Sequence, residues 1–185
     1  MYKIFGDSGF DLVLVIILCL FTLIWIVSVI ITNVSIVDIL WGLAYTTQVL
    51  VYFFTHDYNL SNLAVMLVVG IHGLRLGVYI FIRNVGKEED RRYVAFRNKF
   101  GGERHYWWIS FFQVFMLQGI INLAVCSPFG LFMYKTAKDS ISNEADITLV
   151  KPNKILMIIG VVITLIGTII ESSADFELAY FKSKE

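Results

Sequence analysis

The chain has 185 residues, of which 57% are hydrophobic and only 16% are charged. This composition is too apolar for an ordinary soluble domain. Fifteen Lys and Arg residues balance fifteen Asp and Glu residues, so no overall basic field attracts nucleic acid, and we expect no nucleic-acid partner. Three histidines and two distant cysteines give no metal-ligand spacing and no disulfide framework, and we expect no protein-bound metal.

Long apolar stretches follow one another along the chain and predict about five transmembrane helices. About 20 uncharged residues are enough to cross the bilayer core as a helix, and a helix satisfies its own backbone inside lipid. The predicted fold class is therefore all-α, an integral membrane bundle that forms a single multi-pass domain. The predicted spans cover residues 12–32, 36–55, 60–83, 107–133 and 155–175.

The charges between the spans predict the orientation, because cytosolic loops are enriched in Lys and Arg. More of these residues fall on the side that holds the loop 83–104 and the C-terminus than on the opposite side. We therefore expect that loop and the C-terminus to lie in the cytosol. Trp107 and Trp108 fit an aromatic belt at this interface. The membrane would be the endoplasmic reticulum in a eukaryote or the inner membrane in a bacterium.

A polar stripe runs along the third predicted helix. At 100° per residue, His72, Arg75, Tyr79 and Arg83 fall within about 80° of one another, so the stripe avoids lipid. One interpretation is a structural ion pair or a set of buried hydrogen bonds. The other is a pocket for the polar head of a ligand, which the presence of an ionisable group inside the membrane favours. We predict that His72 and Arg75 line a substrate cavity.

Acidic residues stand at two further helix ends on the predicted cytosolic side. Ser35 and Asp38 have the spacing of a capping box, so Asp38 either caps the second helix or takes part in chemistry. Glu171 and Asp175 lie on one face near the end of the fifth helix. Two acids there oppose the helix dipole, and we expect Lys182 and the basic loop to supply their cationic partners.

Small and amide side chains predict how the helices pack. Gly73 with Gly77, and Gly160 with Gly167, would allow close contact between helices. Pro128 is expected to kink or end the fourth helix. The amide side chains of that helix are expected to form interhelical hydrogen bonds. They are Gln113, Gln118 and Asn122.

Five blocks occur in a fixed order from the second helix to the end of the fifth. They are VDILWG from Val37, GLRLGVY from Gly73, RNVGKEEDRRY from Arg83, SFFQVF from Ser110 with Gln118-Gly119, and ESSAD from Glu171 with Phe181-Lys182. In this order they closely resemble the DUF1295 family, which belongs with the steroid 5-alpha-reductase C-terminal domain superfamily.

The resemblance implies an integral membrane reductase that uses NADPH to reduce a carbon–carbon double bond in a sterol or another lipid. Asp38 is similar in position to a Glu of the steroid reductases that looks like part of their acid system. Their tyrosine is matched here by Gly73, and Tyr79 lies further along the same helix, so Asp38 and Tyr79 are the candidate catalytic residues. The candidate cofactor-binding residues implied by the resemblance are Asn84, Lys87, Glu171, Asp175 and Lys182.

Family members continue beyond the Phe-Lys element into a segment that binds much of the cofactor, whereas this sequence stops at Glu185. We therefore expect the chain to correspond to the N-terminal part of a longer family fold, with weak or no NADPH binding as it stands. The alternative function is a truncated, non-catalytic membrane protein that binds lipid or associates with a full-length relative.

Overall fold

The computed structural model describes residues 9–56, 58–141, 153–182 and 184, and every regular element within these ranges is helical. Five of its helical segments are long and apolar enough to cross a membrane. This confirms the predicted all-α membrane bundle. Some basic residues that were counted for the orientation, among them Lys3 and Lys151, lie outside the described residues.

The described chain forms seven α-helices and one π-helical segment. In chain order they are α1 (Phe10–Ile30), α2 (Ile36–Thr55), α3 (Leu60–Asn84), α4 (Arg91–Lys99), α5 (Glu103–Ser110), the π-helical segment (Phe111–Met116), α6 (Leu117–Ile141) and α7 (Lys154–Lys182). α5, the π-helical segment and α6 together form the fourth span, Arg104–Ala137. Pro128 lies inside α6, which continues to Ile141, so of its two expected effects, a kink or a helix end, the helix end is wrong.

Glycine residues bring α2 and α3 into close contact. A Cβ atom added at Gly73 would lie 2.6 Å from the carbonyl oxygen of Gly42, and one added at Gly42 would collide with the backbone of Gly73 and Gly77. The Thr46 hydroxyl also lies 3.0 Å from the Gly70 carbonyl oxygen, to which it donates. The predicted contact through Gly73 and Gly77 is therefore confirmed, with Gly42 as its partner.

The other glycine pair does not behave in this way. No described atom lies within 4 Å of a Cβ added at Gly160 or Gly167, because α7 packs mainly on α3 and the rest of its surface is open. The prediction that these two glycines allow close helix contact is wrong for the described part of the chain.

Amide side chains form hydrogen bonds between α6 and α2 inside the bundle. The Gln48 amide donates to Asn122 Oδ1 at 2.6 Å, and the Asn122 amide donates to the Trp41 carbonyl oxygen at 3.3 Å. Gln118 accepts a hydrogen bond from the Trp41 indole. These bonds confirm the prediction for Gln118 and Asn122. It is wrong for Gln113, whose side-chain oxygen is buried without a partner among the described residues.

Substitution of Gly73 with Ala should destabilise the bundle, because the new methyl group meets the backbone of α2. We expect a loss of about 1–3 kcal/mol, the usual cost of overpacking, visible as a lower melting temperature of the purified protein in detergent. Gly167→Ala is the matched control, since its methyl group meets no described atom within 4 Å. Equal melting temperatures for the two variants would contradict the close contact.

Candidate functional site

The site lies at the end of the bundle where α1 and α3 end and α2 and the fourth span begin. A pocket of about 1150 Å³ opens there. It is bounded by the α1–α2 turn, the last turn of α3, the α3–α4 loop, the start of α4 and the end of α7. The pocket therefore lies at one face of the membrane rather than in the middle of the bilayer.

Charged, polar and apolar residues line this pocket. Five cations come from α3, the α3–α4 loop, α4 and α7, and they outnumber the three acids Glu88, Glu89 and Asp90; they are Arg83, Lys87, Arg91, Arg92 and Lys182. The apolar part of the wall includes Ile31, Ile36, Ile39, Phe81 and Val85. Three of the predicted cofactor residues, Asn84, Lys87 and Lys182, are thus brought together. Such a lining suits a ligand that combines phosphate groups with an apolar part.

The Asn-x-Gly-Lys element of the sequence forms the tight turn that leaves α3. The Lys87 backbone N–H donates to the Asn84 carbonyl oxygen at 3.1 Å, and Gly86 has a φ of 74°. No described atom lies within 4 Å of a Cβ added at Gly86, so the left-handed backbone, not lack of space, favours glycine here. This turn places the side chains of Asn84 and Lys87 on the same pocket wall.

A buried ion pair fixes the loop that follows. Arg97 Nη2 lies 2.8 Å and 2.9 Å from the two carboxylate oxygens of Glu89, and their side chains are only 14% and 10% exposed. Glu89 also accepts the backbone N–H of Val34 at 2.7 Å. Arg97 donates to the carbonyl oxygen of Thr32 at 3.2 Å, and Thr32 has a φ of 54°, which is uncommon for a β-branched residue. The pair therefore ties the α3–α4 loop to the α1–α2 turn.

Asp38 does not act with Ser35 as a capping box. The Ser35 side chain makes no capping bond, and its hydroxyl oxygen instead accepts the Asp90 backbone N–H at 2.7 Å. Asp38 Oδ1 accepts the Tyr93 hydroxyl at 2.7 Å, and its Oδ2 accepts Arg92 Nη2 at 3.1 Å. The capping interpretation is wrong, because the side chains of Ser35 and Asp38 form hydrogen bonds with the α3–α4 loop and α4 instead.

Tyr93 is the hydrogen-bond partner of Asp38, and no sequence pattern predicted this role. It is 4% exposed, and its hydroxyl oxygen also accepts the Gln118 amide at 3.3 Å. Burial raises the pKa of Tyr93, and the hydrogen bond to Asp38 raises it further. The hydroxyl therefore keeps its proton near neutral pH and donates a hydrogen bond to Asp38. One signal was present in the sequence, since Tyr93 closes the charged RNVGKEEDRRY block with a large, partly apolar side chain.

Arg92 joins this acid–tyrosine pair to the pocket. Its guanidinium contacts Asp38 and also Asp90, whose Oδ1 accepts Arg92 Nε at 3.0 Å. The hydrogen bond from Arg92 lowers the pKa of Asp90, and Asp90 in turn raises the pKa of Arg92. Arg92 lines the pocket directly, whereas Asp38 lies behind it with a side chain that is 17% exposed.

The other predicted site residues form a separate cluster between α3 and α7. Arg75 Nη2 lies 2.7 Å from Glu171 Oε2, and Arg75 Nη1 lies 2.7 Å from Asp175 Oδ2. His72 Nδ1 is 3.2 Å from the Thr168 hydroxyl and 3.7 Å from Glu171. His72 and Arg75 of the α3 stripe thus form ion-pair and hydrogen-bond contacts with α7, as in the structural interpretation of the stripe. Arg75 partners the two acids, so the expectation that Lys182 and the basic loop do so is wrong.

Tyr79 belongs to this second cluster as well. Its hydroxyl donates to the carbonyl oxygen of Asp175 at 3.4 Å, and the Arg83 guanidinium lies 5.8 Å from its ring centroid. Asp38 is therefore paired with Tyr93, and Tyr79 with α7. Glu171 and Asp175 belong to this cluster and do not line the pocket that Asn84, Lys87 and Lys182 line. Among the described residues, no group of three or more His, Cys, Asp or Glu side chains is placed to hold a metal ion.

The fold and the site define a multi-pass helical membrane protein with a basic, partly apolar pocket at one membrane face. The family model described as "Protein of unknown function (DUF1295)" matches residues 24–185, and the chain therefore belongs to the DUF1295 family. This confirms the family that the ordered blocks indicate. Neither the curated proteins nor the solved structures compared with the chain give a match.

Replacement of Arg97 with Gln should release the α3–α4 loop, because Glu89 would keep a largely buried charge without its partner. Breaking a buried ion pair from one side costs about 3 kcal/mol or more. We expect faster amide hydrogen exchange in residues 31–35 and 85–90. Arg91→Gln serves as the control, since Arg91 is an exposed cation of the same region. Unchanged exchange in Arg97→Gln would rule out the proposed role of the pair.

Proposed function

We propose that the chain is, or forms part of, a membrane-embedded reductase that uses NADPH to reduce a carbon–carbon double bond in a sterol or another lipid. One observation carries the proposal: the Asp38–Tyr93 pair is joined through Arg92 to a basic, partly apolar pocket at the membrane face. The chain belongs to the DUF1295 family, and the resemblance of its ordered blocks to the steroid 5-alpha-reductase superfamily favours the same reaction class.

The pocket residues fit a phosphorylated dinucleotide. Lys87, Arg91 and Lys182 line the pocket and have no carboxylate partner among the described residues, so their charges are available to phosphate oxygens. Asn84 adds a polar side chain to the same wall. When bound, reduced nicotinamide would supply the hydride. We place this membrane face in the cytosol, in agreement with the distribution of Lys and Arg.

The apolar side of the pocket suits the second substrate. Ile31, Ile36 and Ile39 come from the turn and the helix start next to Asp38, and Phe81 faces them from α3. These residues lie at the end of the bundle, where a membrane lipid can enter from the bilayer without crossing water. A lipid whose double bond is conjugated to a carbonyl group would take hydride at one carbon and a proton at the other.

Asp38 delivers that proton in our proposal. Both of its oxygens accept hydrogen bonds in the structure, so one oxygen must be released and take up a proton before Asp38 can act as the acid. Arg92 also contacts Asp90, and it can therefore release Asp38 Oδ2 while it keeps one carboxylate partner. Tyr93 holds the other oxygen, which orients the carboxyl group during the transfer. Tyr93 is thus a positioning residue, and Tyr79 serves the α3–α7 cluster instead.

Asp38→Asn should abolish lipid-dependent oxidation of NADPH, because the amide has the shape of the acid but cannot deliver its proton. A loss of at least about a hundredfold is typical for removal of a general acid. The assay follows NADPH absorbance with an α,β-unsaturated keto-lipid, in the protein as its gene encodes it. Asp11→Asn, an exposed acid near the start of α1, is the control. Full activity in Asp38→Asn would remove Asp38 from the mechanism.

Tyr93→Phe should lower turnover, but by less than Asp38→Asn does, because it keeps the acid and removes only the hydrogen bond that orients the carboxyl group. Lipid-dependent oxidation of NADPH and the melting temperature of the variant are measured side by side. Tyr58→Phe is the control, because Tyr58 lies at the opposite end of α2 and is 70% exposed. A loss of rate that only parallels a fall in melting temperature would instead indicate a purely structural role.

A further inference from the structure

A second surface with a charged and aromatic character lies on α4 and α5, beside the pocket but outside its lining. We call it the α4–α5 surface and define it by Phe96, Lys99, Arg104, Trp107 and Trp108. Its aromatic side chains are 39%, 50% and 47% exposed for Phe96, Trp107 and Trp108, and both of its cations are exposed. Its residues do not line the 1150 Å³ pocket.

Each helix contributes an aromatic and a cationic side chain to one face. Lys99 follows Phe96 by three residues on α4, and Trp108 follows Arg104 by four residues on α5, which are the spacings that share a helix face. The turn Phe100–Gly102 joins the two helices, with left-handed φ values of 89° and 73° at Gly101 and Gly102. Only this short turn separates the two pairs along the chain, so they lie on successive helices.

Contacts with α1 and with the α1–α2 turn hold the surface at the end of the bundle. α4 is tied to the α1–α2 turn by the Glu89–Arg97 ion pair, and α5 is tied to the end of α1 because the Trp25 indole donates to the Trp107 carbonyl oxygen at 2.8 Å. The Trp25 and Trp107 rings also stack with centroids 6.3 Å apart. Tryptophan at this level is typical of the boundary between lipid tails and headgroups.

The two cations of the surface form no ion pair within the described part of the chain, and Lys99 Nζ lies 5.7 Å from the ring centroid of Phe100. Arg97 and Arg92 are paired with carboxylates, whereas Lys99 and Arg104 have no carboxylate partner among the described side chains. A cation next to an exposed aromatic ring at headgroup depth is suited to a lipid phosphate, since the ring enters the acyl boundary while the charge meets the anion.

We propose that the α4–α5 surface binds the headgroup of an anionic phospholipid from the surrounding membrane. Lys99 and Arg104 contact the phosphate, and the aromatic side chains contact the upper part of the acyl chains. The site is distinct from the reductase pocket, and it would exist even if the chain had no catalytic activity. A lipid bound there braces α4, which carries Arg92 and follows the α3–α4 loop of the pocket wall.

The test is native mass spectrometry of the purified protein with phosphatidylglycerol or phosphatidylcholine of the same acyl chains. We expect tighter binding of the first phosphatidylglycerol, and a fall of about fivefold in its affinity for each cation replaced in Lys99→Gln and Arg104→Gln, the factor expected for one cation near an anionic lipid surface. The affinity for phosphatidylcholine should stay within about twofold. High salt should weaken the preference in parallel, since screening is stronger.

Lys135→Gln is the matched control, because Lys135 is an exposed lysine near the other end of the fourth span. It should leave the phosphatidylglycerol affinity unchanged. Equal affinity for the two lipids would overturn the proposal, and so would an equal loss in Lys135→Gln and in the variants of the surface. Competition by free inorganic phosphate without a need for acyl chains would show an ion site instead, and would also overturn it.

Discussion

The ion pair between Glu89 and Arg97 is the interaction on which the arrangement of the site depends. Its charges are largely excluded from solvent and tie the α3–α4 loop to the α1–α2 turn. Because that loop is fixed, α4 begins beside the first turn of α2, and Tyr93 and Arg92 both reach Asp38. The pocket wall and the acid–tyrosine pair are thus consequences of one buried contact.

Two other constraints fix the helices behind this site. The contact between Gly42 of α2 and Gly73 and Gly77 of α3 sets how closely these spans approach, and therefore the width of the pocket between their ends. Arg75 binds α7 to α3 through two carboxylates at the contact between these helices. α7 buries almost no other surface, so this cluster accounts for its position, and Lys182 reaches the pocket as a result.

Hydropathy alone predicted the spans and the fold class, because twenty uncharged residues in lipid have no structure open to them other than a helix. Helix periodicity likewise placed His72, Arg75 and Tyr79 on one face. Periodicity does not specify which helix faces that stripe, so the partner of Glu171 was misassigned. Asp38 and Tyr93 are 55 residues apart in sequence, and only the folded loop brings them together. The local spacing of Ser35 and Asp38 was compatible with a capping box or with chemistry. It could not show that both side chains hydrogen-bond to residues 90–93 instead of capping α2.

The most direct test of the account is transfer of deuterium from NADPH deuterated at the transferred position of the nicotinamide. Membranes that contain the protein as its gene encodes it are incubated with this cofactor and a keto-lipid with a conjugated double bond, and the lipids are analysed by mass spectrometry. The account predicts a saturated product that carries one deuteron on carbon, and its loss in Asp38→Asn and in a Lys87→Gln, Lys182→Gln variant. A folded protein that forms no deuterated product with a panel of such lipids and does not bind NADPH would contradict the reductase proposal and favour a non-catalytic lipid-binding role.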